Sequence, residues 1–508
     1  MALVGWWTKS SFMTGFAKMP NRIAWEEEMP EEIKKTTNLK KLVKLAHNNA
    51  YFFKDPDSRA FAKIKKGEHR EELYPLKSSS FEDWLSAINF KVFEEVATSK
   101  LKSDATEFLE GETKLSGKTH EVGLRVMGNE EYIEIDLGDK GWNSIYITKD
   151  NWRIRKHKKY FYRNKSMKFL PVPSRDQLDK DWAGNIFNFS GNSQSMLIMG
   201  WLIGCFMPEG PKPMLVIQGE QGSGKSFLAS MLRSLVDPVK ADKTSLPSSE
   251  RDLYVQAQNN YVLSFDNQRT LHKRHSDWLC RMVTGGGYST RRLYTNSEEE
   301  VFSASRPIIL NGITQIADQP DLIDRSIFIN IPVIDKNTRK PEKELLNSMN
   351  SLNPMILGKI CSALSAILRN KKKEYDHLPR MADFAKFVSR AEEELGWEEG
   401  SFVGAINANR REAHEEMYEY DPLLSLVLEL GRKNKNLAII FSDTTAKLFD
   451  VLIGMIPGKF QKSAFPESPA ALAKRLNGLK PVLREMGIVI KNNKSNGKRI
   501  KRIEWVAN

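Results

Sequence analysis

The chain has only three cysteines in 508 residues, Cys205, Cys280 and Cys361, far apart and odd in number. That excludes a disulfide scaffold and suits a reducing compartment. Glycine and proline, 31 and 22 residues, are too few for a collagen-like or low-complexity chain. No uninterrupted apolar run exceeds the twelve residues Met196–Met207, against the about 20 that a bilayer needs, so no membrane span is expected. The opening MALVGWWTKSS has no basic stretch before its apolar residues and no small-residue cleavage site, so no secretory signal is expected. What is present is ordinary globular material: 40% hydrophobic and 28% charged residues, in a chain with room for about three domains.

Acidic charge is scarce where basic charge concentrates. Residues 431–508 carry 16 Lys+Arg against five Asp+Glu, which accounts for most of the net +13. A second cluster, 151–170, holds eight Lys/Arg and no acid. Such concentration points to a polyanion partner, usually nucleic acid, or else to a solvated face.

Along the chain, patterning predicts a loosely structured arm over 1–35 and an α+β domain over 36–180. LKKLVKLA at Leu39–Ala46 has helical spacing, and YIEIDL and SIYIT alternate like strands. A helical linker follows over 181–213. The GPKP turn at Gly210–Pro213 then launches alternating strands and helices over 214–335. Residues 336–422 read as helical. The last segment, 423–508, has helices at Leu423–Leu430 and Ala470–Met486, then two short strands around KSNG. Helices followed by a basic hairpin outline a winged helix.

The strongest local signal is Gly219-Glu220-Gln221-Gly222-Ser223-Gly224-Lys225-Ser226. It follows an apolar strand and opens a helix, the context in which backbone N–H groups cradle phosphates. Lys225 is expected to reach the phosphates of ATP and Ser226 to hold Mg²⁺. YVLSF then ends in Asp266, which suits the acid that positions the metal. Asn267 follows where fast ATPases carry a glutamate; an amide orients water but cannot take its proton. Glu220 is either a substitute base or a solvated loop residue. Asn311, at the end of RPIIL, either holds the attacking water or forms a turn with Gly312. Arg325 is either an arginine finger or the partner of Asp321 or Asp324. His272, His275 and Cys280 lack a fourth ligand and have Lys273 and Arg274 beside them, so no zinc site is expected.

In this order, GEQGSGKS, SFDNQ, TGGGYSTRRLYTNSEEEVF, RPIILNGI, DLIDR and LPRMADFAKF resemble the AAA+ helicases of superfamily 3. They also resemble poxvirus-type primase-helicases and minichromosome-maintenance-like helicases of phages and mobile elements. The likeness covers about Tyr51 to Gly404 and, more weakly, the C-terminal tail. It implies an α/β fold with an AAA+ ATPase core, a helical lid, and a homohexameric DNA motor in the cytoplasm of a bacterial host. It assigns Tyr288–Ser303 to a channel-lining hairpin, with Arg291 and Arg292 on its rising strand. There they either touch single-stranded DNA or pair with Glu298–Glu300 across the hairpin. It suggests Arg380 as a lid arginine near the nucleotide, against a plain surface position at a helix start. In the tail, Lys491, Lys494, Lys498, Arg499, Lys501 and Arg502 are expected to contact duplex DNA. Unwinding is the expected activity; a slow nucleotide switch that initiates or loads without unwinding is the alternative.

Overall fold

The computed structural model describes residues 38–505 apart from 67–70, 180–181, 188, 190–191, 270, 292–298, 314–318, 336, 338, 371–373, 457–464 and 496–497. The arm expected over 1–35, Arg292 and the hairpin turn at 295–298 lie outside the described residues.

The first described helix, α1 (Asn38–Asn49), buries Leu42, Leu45 and Ala46 on one face. The antiparallel strands β1 (Ala50–Lys54), β2 (Ala60–Lys65) and β3 (Glu71–Pro75) come next. Helices α2 (Ser79–Phe93) and α3 (Ser99–Ser116) start where Ser78 and Thr98 cap the backbone N–H groups of Phe81 and Leu101. These elements close their own core around Phe81, Leu85 and Leu109.

A second sheet, β4 (Val126–Gly128), β5 (Tyr132–Asp136), β6 (Asn143–Thr148) and β7 (Trp152–Lys156), is an antiparallel meander. Its alternation buries Ile133, Ile135, Ile145 and Ile147, and these join the large core of the rest of the chain. Hydrophobic packing therefore divides the 36–180 stretch in two. Arg125, fully buried just before β4, pins this sheet to the central unit by pairing with Asp237 at 3.0 Å.

After helix α4 (Asn192–Cys205) comes the central sheet of parallel strands β8 (Met214–Gln218), β9 (Leu263–Gln268), β12 (Ile308–Gly312) and β13 (Ser326–Asn330), in the order β9-β12-β8-β13. The nearly continuous apolar strands MLVIQ and IILNG fit a sheet covered on both faces. Helices α5 (Lys225–Val236), α6 (Glu250–Asn259) and α7 (Lys273–Thr284) belong to this unit. Strands β10 (Gly287–Arg291) and β11 (Glu299–Ser303) form the expected hairpin beside it.

Helices α8 (Glu342–Arg369), α9 (Ala382–Ser389) and α10 (Ser401–Tyr420) succeed the sheet. By length and composition α8 is apolar enough to cross a membrane, unlike any uninterrupted run in the sequence, yet 61% of its most apolar stretch is buried inside the fold. It packs Ile356, Ile360 and Leu364 into the core. The C-terminal unit runs α11 (Pro422–Lys433), β14 (Ile439–Thr444), α12 (Thr445–Gly454), α13 (Pro469–Glu485), β15 (Ile488–Ser495) and β16 (Lys498–Trp505), with sheet order β14-β16-β15. The sequence pattern had not marked β14 and α12.

Candidate nucleotide site

The loop from β8 to α5 depends on its glycines. A Cβ on Gly219 would stand 2.3 Å from the carbonyl oxygen of Ile331. Gly222 and Gly224 sit at φ +84° and +87°, conformations that side chains disfavour. Gly224 caps α5, so the loop delivers the unpaired N–H groups of a helix start. Lys225 opens that helix and curls back over the loop. Its Nζ donates to the carbonyls of Gly219 at 2.8 Å and Glu220 at 2.6 Å. Burial lowers its pKa, and nearby Asp266 partly offsets that. The next residue, Ser226, donates from Oγ to Asp266 Oδ1 at 2.8 Å. The predicted metal pair thus meets across α5 and β9. Glu220 and Gln221 are exposed on the loop, while Ser223 is buried.

Asp266 and Asn267 lie within β9, at a register shift between Phe265 and Gln268 where the ladder to β12 is interrupted. Asn267 adopts φ +55° and is exposed. Bulges of this kind re-aim side chains near functional sites. Asparagine tolerates the left-handed region better than other side chains do, so residue 267 is under a backbone constraint that the sequence does not display. Its N–H donates to Asn311 Oδ1 at 2.8 Å. Asn311 is buried within β12, one strand from the loop, and its Nδ2 has no partner among the described residues. It is part of the sheet, and Gly312 pairs with Gln218, so Asn311-Gly312 is not a free turn.

Arg325 and Arg380 are at the other end of the sheet. Ser326 pairs with Met214, the first residue of β8, whereas the loop begins after Gln218. Four strand steps separate the ends by about 13 Å, so Arg325 cannot reach its own chain's loop. Its guanidinium pairs with Asp321, and Arg380 reaches the same carboxylate at 3.0 Å. Arg325 Nε is buried without a partner among the described residues. Arg380 thus sits with Arg325 at that end and not beside the glycine loop of its own chain. An arginine that does lie there is Arg339, which the sequence pattern had not marked. Its exposed guanidinium stands 3.4 Å from where a Cβ on Gly222 would be. The one sequence signal for it is position, because it comes after β13, and β13 ends beside the loop.

Of the predicted DNA contacts, Arg291 stands opposite Glu299 in the hairpin ladder. The hairpin base is held by Tyr254, whose hydroxyl donates to the Gly286 carbonyl at 2.5 Å. In the tail, Lys494 and Arg499 are exposed and face each other across the ladder, and Lys498 pairs with Ser495 in its register. Lys491 and Arg502 share the carboxylate of Glu504. Lys501 is a correction. It is buried on the face that carries Ile490 and Ile503, with Nζ donating to Asn492 at 2.6 Å, so it is not an exposed phosphate contact. Burial lowers its pKa, and Lys480 adds to the effect.

Residues 181–404 match the family model of the actinomycete integrative conjugative element replication protein, and residues 423–508 match that of the AICE RepA C-terminal domain. No curated protein matches the chain. Among solved structures, the apo A form of the NrS-1 C terminal region is similar at 15% identity and TM-score 0.40, covering 93% of this chain and 100% of that one. A JCV helicase is similar at 13% identity and TM-score 0.21, covering 43% of this chain and 66% of that one.

Proposed function

We propose that this chain, a replication protein of the actinomycete integrative conjugative element kind, is an ATP- and Mg²⁺-dependent DNA helicase or translocase. In this reading it works as a ring, a homohexamer, on a mobile element replicating in the cytoplasm of its host cell. The observation that carries the reading is the convergence of Lys225, Ser226, Asp266 and Asn311 at the carboxyl ends of three neighbouring parallel strands.

The donor set fits a nucleotide triphosphate. Gly222 and Gly224 hold left-handed φ angles of +84° and +87°, the backbone form in which successive N–H groups can gather on an anion. Among the described residues Lys225 donates to two carbonyls and a hydroxyl, which phosphate oxygens can replace. The buried, unpartnered Nδ2 of Asn311 is free to hold a water. Bound Mg²⁺ would neutralise charge on the phosphates. Ser226 and Asp266 would hold it, Lys225 and Arg339 would add charge from the same chain, and Arg325 would act on a neighbour's nucleotide. Residues 214–335 would be the AAA+ core and 336–422 its lid. The C-terminal order of helix, strand, two helices and two strands is that of a winged helix, with Lys494 and Arg499 toward duplex DNA.

The test is ATP turnover and displacement of a strand from a forked duplex, for the parent and Lys225→Ala. Both activities in the parent and neither in the variant are expected. Equal turnover in both would refute the site. Turnover without displacement would favour the second reading, a slow switch that initiates or loads, which the amide at Asn267 supports.

A further inference from the structure

The basic cluster at 151–170 is not used by any part of the nucleotide site. It falls on β7 and the loop after it, at the edge of the antiparallel sheet β4-β5-β6-β7. One face of that sheet is the buried isoleucine face. The register puts Tyr132 and Glu134 of β5, Tyr146 of β6, and Arg153 and Arg155 of β7 on the other. Tyr132 and Tyr146 stack with ring centroids 5.7 Å apart and 28° between planes. The Arg155 guanidinium lies 3.3 Å from the Tyr146 centroid, Arg153 lies 5.9 Å from it, and Lys159 lies 5.2 Å from the Tyr132 ring.

This layer is held in place from below. Glu134 is wholly buried, accepts from Arg155 Nη2 at 3.0 Å, and accepts from Ser144 Oγ at 2.6 Å. Arg155 is therefore fixed flat on Tyr146 with its charge balanced. Arg153 and Lys158 project exposed beside it.

We infer that this face is a binding platform for single-stranded DNA, separate from the channel hairpin and the C-terminal hairpin. Bases stack on aromatic rings and on guanidinium planes, and flanking cations track the backbone. A duplex hides the faces of its bases, so it can use only the charges. The inference rests on the DNA-handling reading above, and it adds a site that holds the unpaired strand upstream of the motor region.

The test uses the full chain and fluorescein-labelled oligo(dT), oligo(U) and a blunt duplex, with binding followed by anisotropy across a salt series. Arg153→Glu combined with Lys158→Glu should reduce oligo(dT) affinity and lower the log–log salt slope by about 1.4, at about 0.7 per phosphate on a single strand. Tyr146→Ala should weaken oligo(dT) about tenfold, and Tyr146→Phe, which keeps the ring, should restore it. Duplex binding should stay at its parent value in Tyr146→Ala, because a duplex cannot use the ring, and ATP turnover without DNA should stay at its parent value in the Arg153→Glu/Lys158→Glu protein, which separates this test from that of the nucleotide site. Unchanged oligo(dT) affinity and slope, a loss on the duplex equal to that on oligo(dT) in Tyr146→Ala, or tighter binding of oligo(U) than of oligo(dT) by the parent would overturn the platform.

Discussion

Asp237→Asn should be among the most damaging single substitutions outside the nucleotide site. Arg125 and Asp237 are 0% and 2% exposed. One carboxylate oxygen, Oδ1, accepts from Arg125 Nη2 at 3.0 Å and Nε at 3.2 Å. The other, Oδ2, accepts from the backbone N–H groups of Tyr261 at 2.9 Å and Val262 at 3.1 Å. Those residues lead directly into β9, which carries Asp266. An amide has one oxygen and cannot serve both sides. Whichever way it turns, its NH₂ faces either the guanidinium or the two N–H donors.

The attraction between unit charges about 4 Å apart at an effective dielectric of about 20 is about 4 kcal/mol. Removing one charge loses that attraction without returning the other's desolvation, and breaking a buried pair costs about 3–5 kcal/mol. Asp237→Asn should therefore lose about 4 kcal/mol. Arg125→Met should lose less, because the carboxylate keeps its two backbone donors. The double variant should lose less than the sum of the singles. A chain of several units does not unfold in two states, so the readout is hydrogen exchange of the β9 peptides, with urea melts as support. Losses below about 1 kcal/mol in Asp237→Asn, or additive losses in the double variant, would refute the reasoning.

Asn267→Glu should slow ATP turnover rather than supply a base, because a longer side chain is strained at φ +55°; Asn267→Gly should keep the bulge and bind nucleotide normally. Faster turnover in Asn267→Glu would contradict this. Arg325→Ala should lose about 10³-fold or more in turnover, and mixing it with Lys225→Ala subunits should recover part of it; no recovery on mixing would rule out action between chains. Lys494→Glu with Arg499→Glu should reduce the duplex salt slope by about 1.8, at about 0.9 per phosphate, with basal turnover intact. These substitutions are preferable to cutting the chain at residue 431, because Gly431 packs against Ile488 and Trp505 and the cut would open the core of that unit. An unchanged slope would leave the tail without a phosphate role.

What the sequence displayed was what local chemistry decides. The glycine loop, Lys225 and Ser226 are adjacent in the chain, and the strands around them are apolar runs bounded by turns. The two C-terminal strands were visible for the same reason, whereas the hairpin over Tyr288–Ser303 came from the resemblance. What it hid depends on register and crossing. Lys501 and Arg502 are neighbours of one composition, yet strand parity turns one inward and ties the other to Glu504. The resemblance marked Arg380 and nothing marked Arg339, and only the path of the chain after β13 brings Arg339 to the loop. The bulge at Asp266–Asn267 leaves no trace in composition. The split of the 36–180 stretch arises because β6 and β7 of the second sheet find α8 as their partner.

The two ends of the central sheet bear on assembly. The glycine-loop end of the sheet gathers Lys225, Ser226 and Asp266, with Arg339 beside the loop. The Arg325 end gathers two arginines on Asp321. A strand's length lies between these halves. If both halves act on one nucleotide, they must come from two copies placed with the loop end of one against the Arg325 end of the next. Such a contact uses two different surfaces, so it repeats, and it closes into a ring when the rotation per copy divides a full turn. The Arg325–Asp321 pair would then be a resting contact of the unassembled chain, from which a neighbour's phosphate would draw the guanidinium away.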